Sequence, residues 1–205
     1  MVKYIIGIGL FLAFFIACFN SESTKLPYLG EHEVNGQDTI YHKIGDFSFQ
    51  DQDSNLVTNG LLKDKIYVAN FFFTSCPTIC PKTMKQMKRV YDKYLKDTSI
   101  VLVSFSIDHY HDSIPTLKRY ANKLEISGQR WHLLSGKKGE TQKIARDFLS
   151  LALENDQAPG GFEHNGNLIL LDGQGHVRSF CDGTDPTSVD RFILDIETLK
   201  GEKNL

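Results

Sequence analysis

The sequence predicts an α/β domain on a mixed central sheet, with an N-terminal hairpin and a C-terminal hairpin followed by a helix. Three observations carry this. Lys65 to Phe73 and Ser99 to Ile107 are nearly continuous apolar runs, rich in aromatic and β-branched residues. Such runs suit strands covered on both faces. Apolar residues then recur at helical spacing after each run. Near the C-terminus, Asn167–Leu171 and His176–Phe180 flank the turn sequence Asp172-Gly173-Gln174-Gly175, a hairpin signal. Strands that alternate with helices and close in an antiparallel pair describe a mixed sheet.

The elements follow in order. Phe47 and Phe49 alternate with polar residues, and Asp51-Gln52-Asp53-Ser54-Asn55 supplies a turn before Leu56-Val57-Thr58. After the first long strand, Pro77 and Pro81 bracket a loop. Proline lacks an N–H and clashes one turn back, so Pro81 does not sit inside a helix begun at Pro77. It suits a first helical position, and the helix is placed from Pro81 to about Leu95. Met84, Met87, Val90, Tyr91 and Tyr94 form its apolar stripe. The two methionines are read as packing against the sheet, not as metal ligands. Pro115 opens a helix to about Leu124, Trp131–Leu134 is a short strand, and Glu140–Leu151 is helical. Glu154–Glu163 reads as a loop around Pro159-Gly160-Gly161. Asp185-Pro186 starts a last helix, with Val189, Phe192, Ile193, Ile196 and Leu199 on one face.

Upstream of the domain, an apolar run from Ile5 to Phe19 follows Lys3. It is shorter than the ~20 residues of a membrane-spanning helix and reads as a signal peptide over residues 1–17. Phe15-Ile16-Ala17-Cys18 resembles the lipobox of bacterial lipoproteins, which implies lipid on Cys18 and a membrane anchor. Phe15 stands where that motif normally has Leu. Residues 18–44 are read as a tether and 45–205 as the domain, facing away from the cytoplasm. The net charge of −2 becomes −3 when residues 1–17, with Lys3 and no acid, are removed. That balance gives no reason to expect nucleic acid as a partner. Besides Cys18, three cysteines then remain, Cys76, Cys80 and Cys181, too few for a disulfide scaffold.

Cys76 and Cys80 lie four residues apart at the junction of a buried strand and a helix N-terminus. A helix N-terminus stabilises a thiolate, the form that attacks disulfides and binds soft metals. A two-cysteine loop at the first strand-to-helix turn makes the domain thioredoxin-like. The familiar redox spacing is C-x-x-C; this pair has one residue more, leaving room for both sulfurs to face one ion. Two thiolates bind a soft ion such as Cu(I), and an imidazole would complete a three-coordinate site. Zinc is disfavoured for want of a fourth ligand in a second Cys/His cluster. His32, His42, His132 and His176 are read as surface or core residues. His109 and His111 share an acidic loop at the C-terminal end of the second strand, an edge where sites form in open α/β sheets. His164, after the glycine-rich loop, is a candidate of equal standing on position alone.

Three segments together resemble the SCO/SenC family. Thr74-Ser75-Cys76-Pro77-Thr78-Ile79-Cys80-Pro81 is similar to its T-x-C-P-x-x-C-P signature. Asp108-His109-Tyr110-His111-Asp112 resembles its D-P-x-x-D loop. Phe162-Glu163-His164, ahead of Leu168–Gly173, resembles its histidine before the hairpin. The likeness runs from about Gly45 to Leu199. It implies a thioredoxin-like fold and copper, as Cu(I) or Cu(II), bound by Cys76, Cys80 and His164. Asp108, His109 and Asp112 are then candidates to support those ligands. It also implies a role in building the binuclear copper centre of cytochrome c oxidase, with that enzyme's copper-binding subunit as partner. The alternative is a thiol-disulfide oxidoreductase in which Cys76 and Cys80 are the catalytic redox pair, served by a reductase partner. A peroxidase of the peroxiredoxin type is disfavoured, because Thr74 lies only two residues before Cys76 and the upstream proline of that pattern is absent. Two departures stand out: Thr78 where the family often carries Asp, and His109 in place of the loop proline. Losing the acid should favour the thiolate. His109 would either add a ligand or be exposed. Cys181 is read as a buried apolar residue.

Overall fold

The computed structural model describes residues 25–203. The signal-peptide reading and Cys18 lie outside the described residues. The chain order is β1 (His32–Asn35), β2 (Asp38–Tyr41), β3 (Ser48–Asp51), β4 (Leu56–Thr58), α1 (Asn59–Leu62), β5 (Ile66–Phe72), α2 (Cys80–Lys93) and β6 (Ile100–Ser106). It continues through α3 (Ile114–Leu124), β7 (Trp131–Ser135), α4 (Glu140–Asp147), β8 (Ala152–Glu154), β9 (Phe162–His164), β10 (Asn167–Leu171), β11 (Val177–Asp182) and α5 (Pro186–Lys203). The main sheet has seven strands in the order β11-β10-β5-β6-β7-β3-β4. Its centre, β5-β6-β7, is parallel, and antiparallel pairs flank it on both sides. The mixed α/β, thioredoxin-like architecture is therefore present, with its C-terminal hairpin and helix.

The two long apolar runs are its central strands, every residue of each buried. Below the sheet, Phe105 stands within 5.2–5.5 Å, centroid to centroid, of Phe47, Phe49, Phe71 and Phe148, a range in which aromatic pairs attract. A polar spine crosses the opposite face of the sheet. Trp131 Nε1 donates to Ser104 Oγ (2.8 Å), Ser104 Oγ to Asn70 Oδ1, and Asn70 Nδ2 reaches Met84 Sδ. Buried polar groups without partners cost free energy, so this chain sets the register of β7, β6, β5 and α2 against one another. Met84 and Met87 are buried in the core, as their stripe implied.

Three segments differ from the sequence expectation. Residues 25–44, read as tether, carry the β1-β2 ribbon and dock on the domain through Leu29 N–Val177 O and Ile44 N–Gly175 O. Short polar strands with exposed faces leave little periodic signal. The helix expected to reach Leu151 stops at Asp147. Leu149 takes φ +52°, Leu149 N bonds Arg146 O and Ser150 N bonds Ala145 O, the Schellman pattern with leucine where glycine is usual. The stretch read as a loop up to Glu163 is a second ribbon, β8 with β9, closed by a single 3₁₀ turn at Pro159–Gly161.

Arg178 on β11 joins both ends of the described chain. It reaches Glu202 Oε2 (2.7 Å) and Asp172 Oδ2 (3.3 Å), donates to the carbonyls of Leu26 and Pro27, and stacks on Tyr28. The guanidinium is buried. Removing one partner of a buried ion network leaves the others uncompensated. Arg178→Ala should therefore cost about 3–5 kcal/mol, read as a lowered urea midpoint, with the Cys76 and Cys80 chemistry retained below the transition.

Candidate metal centre

The site forms where β5 ends. Phe71, Phe72 and Phe73 are buried in the sheet and core, and the chain turns out at Thr74. Asp112, from the loop after β6, fixes that turn. Its carboxylate accepts from Thr74 N (3.0 Å), Thr74 Oγ1 (2.5 Å) and Ser106 Oγ (2.6 Å). Burial raises the Asp112 pKa, and these hydrogen bonds oppose the rise. Asp108 serves its own loop, accepting from the Tyr110 and His111 amides and from the His111 ring. Of the two acids, only Asp112 touches the cysteine segment.

Helix α2 begins at Cys80 with Pro81 in its first turn, one residue earlier than expected. Its N-cap, Ile79, has no side chain able to accept a hydrogen bond, so the first helical amides need another acceptor. The Cys76 sulfur fills that role, accepting from the backbone of Cys80 and Thr78, with the Cys80 thiol and Thr78 hydroxyl beside it. Burial pushes the Cys76 pKa up, but these donors outweigh it and the net shift is downward. Thr78, the residue standing where the family often has Asp, thus contributes a donor, its hydroxyl 3.7 Å from Cys76 Sγ. Cys80 behaves oppositely. Desolvation pushes its pKa well up, and the neighbouring Cys76 and Asp112 charges add to the rise.

His164 arrives from the other direction, at the end of β9. Its Nε2 lies 3.2 Å from Cys80 Sγ. Desolvation lowers its pKa, opposed by a hydrogen bond to the Phe162 backbone. With Nε2 facing sulfur, the ring offers that bond from Nδ1, which fixes the tautomer and aims the Nε2 lone pair into the site. Phe73 packs edge-on against the ring at 5.4 Å. Gly160, at φ +79°, lets the ribbon close. A Cβ there would stand 2.7 Å from the Phe73 ring and 3.4 Å from Pro77. Gly166 does the same on the far side, where a Cβ would lie 2.9 Å from Thr184 and 3.1 Å from Thr83.

The ligand atoms of Cys76, Cys80 and His164 all lie within 4.8 Å of one another, the one such metal-type cluster among the described residues. Two sulfurs and an imidazole are a soft donor set, matched to Cu(I). The other candidates fall outside the cluster. His111 is exposed, its ring on Asp108. His109 is neither a fourth ligand nor exposed: it packs on Tyr110, 3.8 Å from Glu154. Cys181 is buried on β11 with its pKa pushed to about 12 by desolvation. Sequence reasoning named Asp112 as a candidate support but missed its clamp on Thr74, although both residues stand in the quoted motifs. A hydroxyl two residues before a cysteine and an acid after the next strand are the signal.

Comparison with known proteins agrees with this geometry. The SCO1/SenC family model matches residues 35–200. The chain belongs to the SCO1/SenC family. A SCO1 protein homolog of Bacillus subtilis is 26% identical over 164 residues, 79% of this chain and 85% of the relative. The crystal structure of a SCO1/SenC family lipoprotein from Bacillus anthracis superposes with a TM-score of 0.70 at 28% identity, covering 77% of this chain and 95% of that one. BsSco, a member of the Sco family of cytochrome c oxidase assembly proteins in which a disulfide switch was identified, gives 0.67 at 27% identity over 77% and 93%. No helix among the described residues is long and apolar enough to cross a membrane.

The opposed thiol shifts predict a kinetic asymmetry. In the reduced apo protein near neutral pH, iodoacetamide should modify Cys76 at least about tenfold faster than Cys80, since one pKa unit is tenfold in thiolate. Peptide mapping after partial alkylation reads the ratio. Cys80 modification should accelerate only as pH rises well past the ordinary thiol range.

Proposed function

We propose that this SCO1/SenC protein is a copper chaperone that takes part in assembly of the binuclear copper centre of a cytochrome c oxidase, tethered to the outer side of a membrane through Cys18. The observation that carries the copper reading is the convergence of Cys76 Sγ, Cys80 Sγ and His164 Nε2 within 4.8 Å. The oxidase role follows the family, including BsSco. The copper ion is the cargo. Cys76 contributes the sulfur whose pKa is lowered, and Cys80 a sulfur whose proton must leave when the ion arrives. His164 contributes a neutral nitrogen, because burial holds its pKa below the usual imidazole value. Loading therefore releases at least about one proton per ion near neutral pH, and acidification opposes it.

Titrating the reduced domain with Cu(I) against a competing chelator should reach one ion per chain, reported by the chelator's absorbance. His164→Ala should weaken binding by roughly 10–100-fold or more and alter the copper spectrum. Binding that is absent, or indifferent to His164, would sink the copper reading.

The asymmetry of the two thiols favours a second activity, thiol-disulfide exchange by the same pair. Cys76 is the attacking thiolate; Cys80 is the resolving thiol held protonated until the mixed disulfide forms. Electrons pass from the dithiol to the partner's disulfide, leaving a Cys76–Cys80 disulfide and a reduced partner. If this operates, reduction of a disulfide peptide should persist in His164→Ala and vanish in Cys76→Ser. Loss of turnover in both variants alike would argue for copper handling alone.

A further inference from the structure

A cleft of about 560 Å³ opens beside the two cysteines, between α2 and α3. Its floor is Cys76, Cys80, Met84 and Tyr120, and Lys85, Lys88 and Lys123 stand around it. No carboxylate lines it. Lys88 is matched by Asp92 at 2.7 Å. Among the described residues neither Lys85 nor Lys123 makes an ion pair. Both are exposed. A chain with a net charge of −2 has therefore gathered unbalanced positive charge at an opening that reaches both sulfurs. His164 does not line the cleft, so a group entering there meets the thiols with the imidazole still in place behind them.

We propose that this cleft docks an acidic segment of the protein that exchanges copper or electrons with Cys76 and Cys80. The inference rests on the reading of those cysteines given above. Its occupant is set by charge complementarity. Lysine ammonium groups around an open, half-apolar cleft recognise carboxylates without demanding one geometry, and they steer approach over about a Debye length. The apolar floor accepts the side chains between those carboxylates. Tyr120 marks the inner end. Its phenol lines the cleft with the two sulfurs and offers a hydroxyl donor there.

The test separates docking from metal and thiol chemistry. The probe is a short fluorescent peptide rich in Asp and Glu, with serines in place of cysteines; its control has the same length with Asn and Gln. Fluorescence anisotropy with the full domain should show the acidic peptide binding at least about tenfold tighter than the neutral one at low salt, the preference shrinking steeply as salt rises. The Lys85→Glu/Lys123→Glu double variant should lose at least about tenfold, whereas Lys143→Glu, on α4 outside the cleft, should not. Equal binding of the two peptides, or a double variant as good as the native protein, overturns the proposal. Copper titration of the same double variant should still reach one ion per chain. If the native domain takes no copper, the function proposed above fails while the peptide result stands on its own.

Discussion

Three donor atoms from two segments 84 residues apart have to meet inside the protein, and the local structure around them is organised by that requirement. Bringing an imidazole to 3.2 Å from a sulfur means desolvating both, which is unfavourable unless each polar atom keeps a partner. The partners are supplied by backbone. Cys76 accepts from the Cys80 amide that opens α2 and from Thr78 just before it, and His164 bonds the Phe162 backbone. Closeness is supplied by absence of side chain, since a Cβ on Gly160 or Gly166 would collide with Phe73 or Thr184. Asp112 then stops the cysteine turn from relaxing away, through its bonds to Thr74.

The electrostatics of the trio follow from the same packing. Two thiolates side by side in a buried site repel each other, so one proton is retained, and it resides on Cys80, the more enclosed sulfur. The Nε2 lone pair of neutral His164 faces that thiol, which makes Cys80 S–H the natural donor across the 3.2 Å contact. A monovalent soft cation arriving between the three atoms takes the place of this proton and removes the repulsion between the sulfurs. One arrangement thus serves the proposed copper and redox chemistries alike: the more acidic sulfur is the nucleophile and the first metal ligand, and the less acidic one is the resolving thiol and the second.

Much of this was legible in the sequence because it is written in local patterns. β5 and β6 announce themselves as unbroken apolar runs, and Pro81 places the start of α2 to within one residue. The ligand set was readable only when the Cys76–Cys80 pair was combined with the resemblance; position alone left His109, His111 and His164 equal. What separates them is tertiary. His164 is carried by the β8-β9 ribbon, whose three-residue strands are too short to show alternation and whose closure depends on glycine φ values. His109 instead turns toward Tyr110 and Glu154. The docking of residues 25–44 was hidden for a similar reason. It depends on backbone bonds to β11 and on Arg178, whose partners lie 24 to 152 residues away apart from Asp172.

The two approaches to the site have different physical character, and that difference bears on how cargo can leave. On one side the β8-β9 ribbon carries His164, its ring packed on Phe73 and half-buried. On the other, the sulfurs face a half-open cleft edged by lysines. A competing thiolate brought in on an acidic segment would be attracted as a whole by those lysines and would meet copper at the Cys76 and Cys80 side. In the proposed transfer, sulfur would exchange for sulfur while His164 stays in place, so the ion would never be bare.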